Sequence, residues 1–170
     1  MTSLIIIFLI TGIISGFMAG LLGVGGGIII VPISYFVLLF LDYSPDYAMH
    51  IAIASSLGVI CFTSISSIRS HIKLKNVNFI ILRTWVPGIV LGSIIGSYSA
   101  SIISGDILVN IFICLAFLIA LNMAFQKEPI IISADLPNSK FVNLIISSLI
   151  GFLSVLIGIG GGSFSVPTLT

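Results

Sequence analysis

The chain has 170 residues, 58% of them apolar and only 6% charged, with a net charge of +1. A soluble domain carries about 25% charged residues, so this composition excludes an ordinary water-soluble domain and points to lipid as the solvent; the mean hydropathy of +1.34 agrees. Nucleic-acid binding has no electrostatic basis at this charge. The two cysteines, Cys61 and Cys114, lie inside apolar runs, where packing is the expected role.

The N-terminus, MTSLIIIFLI, has no basic stretch ahead of its apolar run, which continues far beyond a signal-peptide core. It is expected to stay as a membrane segment. Residues 4–41 carry no charged side chain. As one helix they would measure about 57 Å, against a hydrocarbon core of about 30 Å. The segment must therefore break, tilt or fold back. Residues 23–27 are the expected break, because three glycines in a row weaken a helix sharply. Pro32 then fits the first turn of a restarted helix, where its missing N–H costs little.

Residues 42–46, DYSPD, read as a short acidic turn. Residues 48–68 form the next span, in which Ser56, Thr63 and Ser67 share one helical face. Arg69, His71, Lys73 and Lys75 make a basic loop. A third span covers 79–99 or 84–103, with Pro87 near its start, and a fourth covers 107–126. Residues 127–140 are a polar connection, and 141–170 are uncharged again.

The basic loop holds half of the lysines and arginines, which places it in the cytoplasm together with 127–140. The turns at 42–46 and 101–106 then face outward. Charge does not decide whether 4–41 crosses once or twice, because residues 1–41 carry none. Two crossings would make a second copy of the pattern inverted, and one would make it parallel.

That second copy is visible. GFMAGLLGVGGGIIIVPI, from Gly16, returns as GFLSVLIGIGGGSFSVPT, from Gly151, at a constant offset of 135 residues. Gly23, Gly25, Gly26, Gly27, Val31 and Pro32 correspond to Gly158, Gly160, Gly161, Gly162, Val166 and Pro167. A gapless match of this kind marks an internal repeat. Its expected domains are a first transmembrane repeat over 1–126, a cytoplasmic connection over 127–140, and the start of a second repeat over 141–170. In lipid, non-helical backbone survives only where protein or a wet cavity covers it. A glycine break leaves N–H groups unsatisfied at the start of the next half-helix, and those groups favour an anion. Paired broken helices in corresponding places of two repeats are the usual pointer to a transporter's substrate site. The competing reading is that the glycines serve close helix packing.

Soluble phosphate-binding motifs fail. Ile28 and Ser163 follow the two glycine triplets, so neither the Lys-Ser/Thr of a Walker loop nor the third glycine of a dinucleotide fingerprint is present. Arg83 is the one basic residue plausibly inside a span, where it either snorkels to the cytoplasmic edge or helps bind an anion. Ser55 and Ser56 either line a pathway or bond between helices. His50 and His71 sit at span ends and are expected to be solvated. Nothing in the sequence carries enzymatic chemistry, a metal site or a cofactor site, and no ring of charges marks a channel.

The doubled glycine motif, with ASSLGVICFTSISSIRSHIKLKNVNF and PGIVLGSIIGSYSA between its copies, resembles the TauE/SafE (sulfite exporter-like) membrane transporter family. The resemblance implies an all-α integral membrane protein, a polytopic helical bundle built from two inverted halves with glycine-broken helices. It implies a multi-pass protein of the bacterial inner membrane that exports small anions such as sulfite or organosulfonates. The implied substrate site draws on Gly23, Gly25, Gly26, Gly27, Pro32, Gly158, Gly160, Gly161, Gly162 and Pro167, with Ser55, Ser56 and Arg83 as candidates beside them. The expected partners are the lipid bilayer and a small anionic substrate. The second copy stops three residues after Pro167, so the alternative expectation is a non-transporting remnant or one subunit of a split transporter. A homo-oligomer or a companion chain would then supply the missing half.

Overall fold

The apolar runs fold as helices, because only a helix satisfies its backbone N–H and C=O groups within its own segment when lipid surrounds it. A computed structural model describes residues 2–22, 26–73, 79–125 and 140–160; among these residues there are six helices and no strand. They are α1 (Thr2–Leu22), α2 (Gly27–Phe40), α3 (Pro45–Lys73), α4 (Phe79–Ile102), α5 (Gly105–Phe125) and α6 (Lys140–Ile157). The stretches Pro45–Ser70 and Leu82–Ile102 are long and apolar enough, by length and composition, to cross a membrane, and the other helices contain shorter apolar stretches. Large apolar side chains face outward: Phe40 is 86% and Phe62 79% exposed. In water such a surface would drive aggregation, whereas in acyl chains it is at home. The protein is an all-α membrane protein. The expected connection at 127–140 lies, apart from Lys140, outside the described residues.

The core gathers where α2, α3, α5 and α6 meet, around Val31, Met49, Ala52, Ile53, Leu108, Phe112, Leu156 and Ile157. The most extended pairing joins α4 and α6. Gly88, Gly92 and Gly96 stand at four-residue spacing on α4 and bring the two backbones together. A Cβ at Gly92 would fall on the Ser148 carbonyl, and one at Gly96 would come within 2.9 Å of the Phe152 carbonyl oxygen. Small residues at this spacing permit such an approach in lipid, where van der Waals contact carries much of the association. Gly151 of α6 answers from the other side, against the backbone of Ile89.

Three expectations change. α2 restarts at Gly27, so Pro32 sits inside the helix and not in its first turn. The Gly26 carbonyl accepts from the N–H groups of Ile29 (3.1 Å) and Ile30 (3.0 Å), which closes the first turn five residues early. His50 is half-buried and bonded. Its Nε2 lies 3.0 Å from the Ala100 carbonyl oxygen and 3.1 Å from that of Ile103. The last carbonyls of a helix have no partner of their own, and this ring from α3 reaches the end of α4. The side chain of His71 lies outside the described residues. Cys61 and Cys114 are free and exposed on outer helix faces, not packed inside.

The turns expected on one side of the membrane do meet. A Cβ at Gly105 would come within 2.7 Å of the Asp46 Cα. Asp42 ends the α2 side of this junction in a left-handed conformation (φ 61°), which aspartate tolerates better than most residues.

Candidate functional site at the two helix breaks

α1 stops at Leu22 and α6 stops at Ile157, which are the same position of the repeat. Beyond Ile157 the chain turns left-handed at Gly158 (φ 70°) and again at Gly160 (φ 72°). A side chain there would crowd its own carbonyl, so glycine makes the turn possible. The Gly158 N–H donates to the Val155 carbonyl (3.1 Å) and the Ile159 N–H to that of Ser154 (3.2 Å), which close the end of the helix.

The two breaks touch. A Cβ at Gly27, the first residue of α2, would fall on the Gly158 carbonyl and within 2.8 Å of the Ile159 Cα. Ser56 holds this junction from α3: its hydroxyl donates to the Gly158 carbonyl oxygen at 2.7 Å, fully buried. Val31 and Ile53 close over it; a Cβ at Gly158 would lie 3.1 Å from Val31 Cγ2 and 3.4 Å from the Ile53 Cα. Ser56 is eleven residues into the 29-residue α3, about 17 Å along its axis at 1.5 Å per residue. The breaks therefore meet a little short of the middle of α3.

Beside the junction a cavity of about 640 Å³ opens between α1, the start of α2 and α3. Thr11 and Ser15 of α1 and Thr63, Ser66, Ser67 and Ser70 of α3 bring hydroxyls to it, Gly26 lines it at the head of α2, and Phe8, Gly12, Gly16, Ala19, Ile30, Val59 and Ile60 make the rest of its wall apolar. Among the described residues no charged side chain lines it. Thr11 donates to the Ile7 carbonyl (2.7 Å) and Thr63 to that of Ile60 (3.2 Å). Such local bonds are exchangeable, since a hydroxyl can rotate to donate elsewhere. Gly26 offers α2 no side-chain cap, and the positive end of the helix dipole lies beside this cavity. The space is largely apolar, and what polarity it has comes from these hydroxyls and from the positive end of α2, which favours negative charge.

Gly26, Gly27, Gly158, Gly160 and Ser56 come together here. Ser55 does not: it is exposed and donates to the Ile51 carbonyl of its own helix. Arg83 is exposed on α4 and lines no part of the cavity. Pro32 is half-buried in α2, one residue beyond the buried Val31. Gly23, Gly25, Gly161, Gly162 and Pro167 lie outside the described residues. Sequence reasoning missed Thr11 and Ser15, whose four-residue spacing in an apolar run was the available signal. It found Thr63 and Ser67 as one face with Ser56, without the partners of that face.

The profile of the family described as Sulfite exporter TauE/SafE matches residues 8–170. A probable membrane transporter protein of Haemophilus influenzae is 34% identical over all of this chain and 64% of its own length. The probable membrane transporter protein YunE of Bacillus subtilis is 31% identical over 96% of this chain and 66% of its own. A probable membrane transporter protein of Methanocaldococcus jannaschii is 36% identical over 96% and 60%. The chain thus spans between 60% and 66% of the length of these relatives. No solved structure matches it.

Proposed function

Because the chain belongs to the sulfite exporter TauE/SafE family, we propose that it works as a multi-pass transporter of the bacterial inner membrane. Its cargo is a small anion such as sulfite or an organosulfonate, moved across the membrane without chemical change. The observation that carries this reading is the contact between the ends of two broken helices, next to a cavity that six hydroxyls help to line. Transporters gather substrate groups at such half-helix ends. The N–H groups at the start of α2 hold the anion, the hydroxyls of α1 and α3 replace its water, and one bundle rocks against the other to release it. The two halves run inverted in this reading.

The test is flux. Purified protein in liposomes is expected to give saturable efflux of sulfite or sulfoacetate. Gly26→Leu fills the cavity: a Cβ at Gly26 points to Ile30 Cδ1 (3.4 Å) and Ser15 Oγ (3.8 Å), both side-chain atoms. That variant keeps its fold and loses at least about tenfold of the flux. Efflux unchanged in Gly26→Leu would overturn the site. The open face of α1 favours a second reading, in which flux appears only with a companion chain.

A further inference from the structure

His50 faces more acceptors than a neutral imidazole can serve. On its own helix, Nδ1 lies 2.7 Å from the Asp46 carbonyl oxygen. Toward α4, Nε2 lies 3.0 Å from the Ala100 carbonyl oxygen and 3.1 Å from that of Ile103. All three partners accept and none can donate. A neutral imidazole has one N–H and one lone pair, whereas the imidazolium donates from both nitrogens. With the neutral ring, one nitrogen turns a lone pair toward a carbonyl oxygen. Either the tie to α4 or the hold on Asp46 is then lost, and only the doubly protonated ring makes both.

This tie is not one contact among many between the two helices. A groove of about 670 Å³, lined by Leu57 of α3 and by Val90, Ser93 and Ser97 of α4, lies between them. The titratable groups at the His50 end are Asp46 and Tyr47 of α3, Asp42 and Tyr43 after α2, Tyr98 of α4, and Asp106 of α5, whose neighbour Gly105 backs onto Asp46. The described basic side chains stand elsewhere: Arg69 on α3 and Arg83 on α4 are each about five turns along their helices from the tie, and Lys73 is further still. No described cation therefore competes with the ring for these carbonyls.

The tie also has a telling place. The cavity beside the breaks has its α3 wall between Val59 and Ser70. His50 stands on the other side of Ser56, which holds the breaks together. There Met49, Ala52, Ile53, Leu108 and Phe112 are buried in one packed cluster. The cavity thus extends toward the basic end of α3, and the bundle is packed closed at the His50 end.

We propose that His50 is a proton-operated latch between α3 and α4. With a proton on both nitrogens it fastens the end of α4 to the first turns of α3. With one proton fewer it keeps one hold of the two, and the end of α4 is loosened. Opening this end is what would give the junction a second access, so that a proton accompanies the passage of the anion. That consequence rests on the transport reading; the latch itself does not.

The test is a distance measured against pH, on the full chain in phosphatidylcholine vesicles. Tyr47→Cys on α3 and Ile102→Cys on α4 carry spin labels at sites 70% and 69% exposed, with Cys61 and Cys114 replaced by serine. About pH 5 and about pH 8 bracket the ordinary titration of an imidazole. One narrow distance is expected at the lower pH, and a longer, broader distribution at the higher. His50→Gln keeps an amide donor at both pH values and is expected to abolish the difference. His50→Ala has no donor and is expected to give the broad distribution at both. A distribution unchanged by pH in the chain with His50 intact would overturn the proposal. So would a pH difference that survives in His50→Gln or His50→Ala, since another group would then be titrating. The measurement involves no flux, so its failure leaves the transport reading where it stands.

Discussion

Glycine does two different things in this molecule, and the α4–α6 seam and the helix breaks separate them. Gly88, Gly92 and Gly96 stay helical and act by proximity: each would put a Cβ into the facing helix. Gly158 and Gly160 act by conformation, turning the backbone left-handed where the helix must stop. Gly27 belongs to the first kind by its dihedrals and to the second by its neighbours, for it is helical yet presses on the break in α6. A glycine-rich membrane sequence therefore mixes spacers and hinges. What a Cβ would meet, and the sign of φ, tell them apart.

The largest expected effect tests the spacers. Gly27→Leu meets only backbone at the Gly158 carbonyl and the Ile159 Cα, so no side chain can yield, and the breaks must separate at about 3 kcal/mol. Gly92→Ala meets the Ser148 backbone in the same way and is expected to cost about 2 kcal/mol while leaving the breaks joined. Denaturant titration in detergent reads both costs. A probe on α6 should respond to Gly92→Ala at the seam alone. If either variant costs less than about 0.5 kcal/mol, the approach of the backbones at that site is wrong.

Next in size is a pair of neighbouring serines. Ser56→Ala leaves the Gly158 carbonyl buried without the donor it has now, at about 1–3 kcal/mol. Ser55→Ala removes only an exposed bond within one turn of α3 and is expected to stay within about 0.5 kcal/mol. Equal costs in the two variants would show that Ser56 does not hold the break.

This pair also shows where the sequence stops being informative. The six described helices were legible, because long apolar runs in a chain this poor in charge admit little else. The breaks were legible because a repeat placed glycine triplets at matching positions. Ser55 and Ser56 could not be ranked, since adjacent residues on a helix differ by about 100° in direction and only the position of α6 decides which one is buried. The restart of α2 ahead of Pro32 was hidden too. Three isoleucines follow Gly27, and they continue a helix once the Gly26 carbonyl has accepted its first bonds. His50 gave no local sign of its partners, which lie 50 and 53 residues away. The stripe of α4 stood in plain view as PGIVLGSIIGSYSA, with glycines at every fourth position, but its facing helix did not.

The smallest effect sharpens the hinge side of the comparison. At Gly160 a Cβ would lie 2.7 Å from Ile60 Cγ2, a contact that alanine and asparagine share, so the difference between the two is set by conformation. Alanine in the left-handed region costs about 1–2 kcal/mol. Asparagine visits that region more readily, since its short polar side chain can bond locally. Gly160→Ala is therefore expected to destabilise by about 1 kcal/mol, and Gly160→Asn by clearly less. The order should reverse at a spacer such as Gly92, where the larger side chain always does worse. If asparagine and alanine rank the same way at both positions, Gly160 is a spacer like the others, and the second break owes its shape to the residues packed around it.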